Sequence, residues 1–136
     1  MLKLFSLAAS TYIVNAANTV RDCSAGKSVF KWVSASVTPD PVIPGKDSTI
    51  SLACEIPTGV TVTGGTAEYG FTFNGIPFSP TIDDLCADVA CPLTPGPYSN
   101  STMSQFPSVS GKIVSTIKWK DEAGTLLYCL ETTIKT

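Results

Sequence analysis

Between Thr66 and Phe78 the sequence TAEYGFTFNGIPF commits the chain to antiparallel β-structure. Ala67, Tyr69, Phe71 and Phe73 fall on one side of an extended segment, and Thr66, Glu68, Gly70 and Thr72 fall on the other, the period-two alternation of a half-buried strand. Asn74-Gly75 then supplies the pair that best tolerates positive φ at both central positions of a tight hairpin. The chain is therefore expected to reverse there and return through Ile76-Pro77-Phe78. Cys86 and Cys91 close the region with four residues between them.

The same alternation recurs along the chain. Between positions 47 and 56, Ser48, Ile50, Leu52, Cys54 and Ile56 share the side expected to face a core. Ile113, Ser115, Ile117 and Trp119 alternate in a late segment, Asp121 to Gly124 make a turn, and Leu126, Tyr128, Leu130, Thr132 and Ile134 share a face on the return. Cys129 is expected to point the other way, toward the outer surface or an edge. Val60 to Thr63 reads as a short strand and Tyr98 to Phe106 as a longer one. Residues 28 to 37 also read as a strand, but Phe30 and Trp32 fall on one side and Val29, Val33 and Val37 on the other, which leaves its inward face open. The 38 to 46 stretch carries three prolines that cannot donate to a ladder, and is expected as a loop or sheet edge.

Lys3 followed by an apolar run from Leu4 to Val14 and the small-residue pattern Val14-Asn15-Ala16 reads as a signal peptide over residues 1 to 16. The sequence thus predicts an exported chain starting near Ala17 and no segment with the roughly 20 apolar residues of a membrane span. Residues 17 to 136 number 120, enough for one domain with a real core. Eight basic residues then face 11 acidic ones, a balance that argues against nucleic acid as a partner. Lys112, Lys118 and Lys120 still leave transient contact with a membrane surface open.

Five cysteines in an exported chain point to disulfides more than to metal, and the chain has no His to complete a zinc site at Cys86-x4-Cys91. Five is odd, so at least one thiol lacks an intramolecular partner. Cys54, on the inward face of its strand, is the candidate, as a small buried hydrophobe. With no His as general base and no serine in a nucleophile elbow, an enzyme is disfavoured, and neither catalytic residue nor cofactor is expected. Asp83-Asp84 reads as a turn cap or a solvated pair. Asn100-Ser101-Thr102 is an N-glycosylation sequon, usable where Asn100 is exposed. About seven short strands separated by Pro, Gly and Asx turns predict an all-β, immunoglobulin-like antiparallel β-sandwich.

Several motifs in order carry a resemblance. Asp22-Cys23 follows the signal, Pro44-Gly45-Lys46 precedes a strand, and Asn74-Gly75 is followed by Pro77-Phe78. Cys86, Cys91-Pro92-Leu93, a Gly, Tyr98, Phe106-Pro107 and finally Asp121 to Gly124 ahead of Cys129 complete the series. The chain resembles the ML-domain (lipid-recognition) family over residues 17 to 136. That family includes the lysosomal sterol carrier lost in Niemann–Pick type C disease and fungal phosphatidylglycerol/phosphatidylinositol transfer proteins. The resemblance implies disulfides Cys23 to Cys129 and Cys86 to Cys91, and a lipid cavity between the two sheets. A further disulfide common in the family has no counterpart in the 38 to 46 loop.

The resemblance also implies a non-catalytic carrier of one sterol or phospholipid; the chain is expected to be secreted or in the lumen of an endosome, lysosome or vacuole, and to act as a monomer. Phe78 and Phe106 are carried over as residues of the cavity mouth. Alternation adds Ile50, Leu52, Tyr69, Phe71, Phe73, Ile117 and Trp119 as expected lining, although inward aromatics in a sandwich are often simple core. The alternative is a protein-recognition or adhesion module of the same fold, without a lipid ligand.

Overall fold

The computed structural model describes residues 19–106 and 110–135. The signal segment, the Ala17 start and Pro107 lie outside these residues. Eight strands form: β1 (Thr19–Asp22), β2 (Lys31–Thr38), β3 (Asp47–Ile56), β4 (Gly65–Phe73), β5 (Ile76–Asp84), β6 (Gly96–Gln105), β7 (Lys112–Asp121) and β8 (Leu126–Lys135). One helical turn, α1 (Leu85–Asp88), follows β5. A five-stranded sheet in the order β1-β8-β7-β4-β5 packs over a three-stranded sheet in the order β2-β3-β6, and every pairing is antiparallel. The chain is an all-β antiparallel sandwich.

The hairpin forms where the sequence places it. Asn74 takes φ 50° and Gly75 φ 83°, and Asn74 Oδ1 accepts from the Lys112 amide at 2.8 Å, tying the turn to the next strand of the sheet. At the later turn Asp121 Oδ1 accepts from the amides of Ala123 at 3.0 Å and Thr125 at 2.9 Å, the local side-chain bonding for which Asx residues are suited.

A bulge resolves the ambiguous face of β2. Its register against β3 shifts between Trp32 and Ser34, so the alternation breaks there and Val33 is left in solvent. Trp32 opposite Cys54, Ala35 opposite Leu52 and Val37 opposite Ile50 then share the inward side. Phe30, Ile50, Leu52, Cys54 and Ile56 are buried together with Ile113, Ile117, Trp119, Tyr128 and Leu130.

Three expectations change. The Val60–Thr63 segment is no ladder strand, being joined by a single bridge between Val62 and Leu93. The return strand β5 runs through both Pro77 and Pro80 to Asp84, which an edge position permits. Cys129 is buried, not superficial, because the N-terminal segment is bonded across it: the Cys23 amide donates to the Cys129 carbonyl at 3.2 Å, and the two cysteines are disulfide-linked with Cα atoms 5.1 Å apart. Cys86 and Cys91 form the second disulfide, Cα atoms 5.4 Å apart, and Cys54 is a buried free thiol.

Candidate functional site

The two sheets differ in width, and their edges do not meet on one side. β5 ends the wide sheet and β6 ends the narrow one. Between those edges lies a cavity of about 330 Å³ that opens sideways. Ile117 and Trp119 of β7, Tyr69 of β4 and Leu52 of β3 form its floor and apolar walls. Asp83 of β5, Ala87 and Asp88 of α1 and the adjoining Val89 form one lip, and Asn100, Ser101 and Thr102 of β6 form the other.

The lip on the α1 side is a hydrogen-bonded cluster. Tyr69 Oη donates to Asp88 Oδ2 at 2.6 Å. Burial first, then the bond to Asp88 and its charge, raises the Tyr69 phenol well above its usual range, so it stays a donor. Burial, then the charge of Asp88, holds the Asp83 carboxyl above the usual carboxylate range. Opposite, Asn100 Nδ2 donates to Tyr98 Oη at 3.3 Å, so the sequon side chain is half-buried and turned to the cavity.

Trp119 is held edge-on to Tyr98, ring centroids 6.2 Å apart, and tilted against Tyr128 at 5.4 Å. The residue is 3% exposed, and its Nε1–H has no hydrogen-bond partner. A buried donor of this kind costs free energy until something accepts from it.

Leu52, Tyr69, Ile117 and Trp119 are thus gathered around one space. Ile50 and Phe106 are buried in the core away from the cavity lining. Phe71 and Phe73 are half-buried against that core. Phe78 stands 55% exposed, edge-on to Phe71 with centroids 5.3 Å apart, on the inner side of β5 that the narrow sheet does not cover.

Asp83 and Asp88 were not legible as cavity residues. Counting back from the Asn74-Gly75 hairpin pairs Phe73 with Ile76 and Phe71 with Phe78, and would place Ile82 opposite Ala67. The register slips by one between Tyr69 and Phe71, so Asp83 instead faces Ala67, and Ile82 is turned into solvent. Pro80, in the slipped stretch of β5, was the available signal. Among the described residues no cluster of His, Cys, Asp and Glu is arranged to hold a metal.

A two-sheet β-sandwich hollowed at one edge is the class these features define. The chain belongs to the ML domain family, whose profile matches residues 17–136. A Dictyostelium discoideum protein, named provisionally as a phosphatidylglycerol/phosphatidylinositol transfer protein, is 29% identical over 105 residues, covering 74% of this chain and 72% of that protein. Among solved structures, a Niemann-Pick type C2 protein from the Japanese carpenter ant superposes with a TM-score of 0.66 at 16% identity, covering 86% of this chain and 98% of that one. Chicken MD-1, complexed with lipid IVa, superposes with a TM-score of 0.65 at 13% identity, covering 88% of each chain. These two likenesses establish the shared sandwich.

Proposed function

We propose that the protein is a lipid carrier that holds one sterol or phospholipid between its sheets and performs no covalent chemistry. The observation that carries this reading is the side-opening cavity with Leu52, Tyr69, Ile117 and Trp119 in its wall. Its volume of about 330 Å³ falls at the small end of ligand sites. Each methylene moved into it from water contributes roughly 0.8 kcal/mol, so a single chain binds usefully without polar contacts. The family membership and the name of the Dictyostelium relative support the same reading.

The reading extends to an exported monomer, secreted or lumenal, that meets membranes transiently to load and unload. The apolar run near the N-terminus and the two disulfides support export. Asn100 is the candidate N-glycan acceptor, and its inward-turned side chain would bring a glycan into competition with the ligand at the mouth.

Mass spectrometry of the organic extract from secreted, purified protein, beside an unrelated secreted control, tests the proposal. A stoichiometric sterol or phospholipid is expected. No enriched lipid, together with no uptake of fluorescent sterol or phospholipid, would overturn the carrier reading in favour of a protein-recognition module.

A further inference from the structure

The two lips of the mouth are held differently. Asn100, Ser101 and Thr102 belong to β6 and are laddered to β3, opposite Leu52, Ser51 and Ile50. The other lip is a single helical turn, and Cys86–Cys91 staples its loop to itself and not to a strand. Leu85 and Val89 anchor that loop by burial, while Ala87 and Asp88 between them stand at the cavity. The stretch of β5 beside it is also loosely paired. Between Phe78 and Thr81, Ser79 and Pro80 stand against Gly70 alone, and Pro80 has no amide to donate.

Tyr69 joins this yielding lip to the firm part of the wide sheet. It stands on β4, which is laddered on both sides, opposite Ile117 of β7 and Thr81 of β5. Its ring forms part of the cavity wall, and its hydroxyl reaches α1 to donate to Asp88 Oδ2 at 2.6 Å. We propose that this hydrogen bond is the latch of the cavity: it holds the α1 lip against the wall and parts when a lipid passes, so that Tyr69 is a positioning residue that sets the rate of exchange and not the affinity. The inference rests on the carrier reading and adds to it the step at which ligand is admitted.

Two arguments support the latch. A volume of about 330 Å³ lies at the lower limit for a drug-sized ligand, so a sterol or phospholipid has to push one boundary outward. The α1 lip is the boundary that carries no ladder. The second argument concerns rates. The latch is closed before entry and after it, and open only in passage. Losing it therefore lowers the barriers to entry and exit alike, and the two rate constants rise together while their ratio stays.

Stopped-flow fluorescence would follow dehydroergosterol and a nitrobenzoxadiazole-labelled lysophosphatidylcholine, each below its micelle concentration. Entry would be read on mixing with the full mature protein, exit on mixing the loaded protein with excess phosphatidylcholine vesicles, and Kd by titration. Tyr69→Phe deletes the hydroxyl and keeps the ring. It is expected to raise both rate constants at least about fivefold, the scale of one side-chain hydrogen bond, with Kd within about twofold. Asp88→Ala should do the same, and the double variant should exchange no faster than either single one. Asp88→Asn keeps an acceptor oxygen and should restore most of the slow exchange. Unchanged rates in Tyr69→Phe, faster exit matched by a weaker Kd, additive acceleration in the double variant, or Asp88→Asn as fast as Asp88→Ala would each overturn the latch while leaving the carrier reading standing. Binding of neither probe by the unaltered protein would bring down both.

Discussion

At the scale of single residues, Cys54 shows how a reactive group is made inert by position. It is 2% exposed on the inward face of β3, and burial, then the charge of Glu55, pushes its thiol up to about 11. At neutral pH it is therefore protonated and out of reach, since the thiolate is the nucleophile. Iodoacetamide should leave the native protein unlabelled and modify one thiol per molecule in denaturant with the disulfides intact, as counted by mass spectrometry. Labelling of the native protein would mean that β3 opens readily. Cys54→Ser should keep both disulfides. The side of Cys54 was legible because its strand alternates without interruption. That of Val33 was not, because a bulge leaves no mark in a run of apolar residues.

Among the elements, β5 carries the most consequence with the least burial. Every residue of it except Asp83 is exposed, yet its inner side completes the mouth. Pro77 and Pro80 remove two amide donors, which blunts a strand edge that could otherwise recruit a second chain. Phe78→Asp should lower the uptake of fluorescent lipid several-fold while leaving the circular dichroism spectrum and the unfolding midpoint unchanged, because the side chain is in solvent and, among the described aromatic rings, meets Phe71 alone, edge-on. Unchanged uptake would remove Phe78 from the mouth. The hairpin ahead of β5 was legible in Asn74-Gly75, whose backbone preference is local. The far half of β5 was not, since two prolines speak against a strand and only an edge position in the sheet overrides them. β1 and α1 escaped for a related reason: four residues each are too few to display a period, and both exist by docking against β8 and β4 respectively.

For the molecule as a whole, the two disulfides have unequal work. Cys23–Cys129 spans 106 residues and Cys86–Cys91 spans 5. By loop-closure entropy the first stabilises by about 4.8 kcal/mol and the second by about 2 kcal/mol. Urea unfolding should therefore show Cys23→Ala/Cys129→Ala losing more stability than Cys86→Ala/Cys91→Ala, and equal losses would show that the unfolded chain is not what the long link restrains. The unequal width of the sheets has a kinetic consequence. Because the cavity opens between two strand edges, a lipid held there as proposed would enter and leave with no backbone hydrogen bond of either ladder broken. The barrier to exchange is then the exposure of a hydrocarbon chain to water and the swing of a few side chains. On the proposed carrier reading, a membrane pressed against that gap would lower the first of these, and the speed of delivery would be set by the acceptor surface more than by any unfolding of the protein.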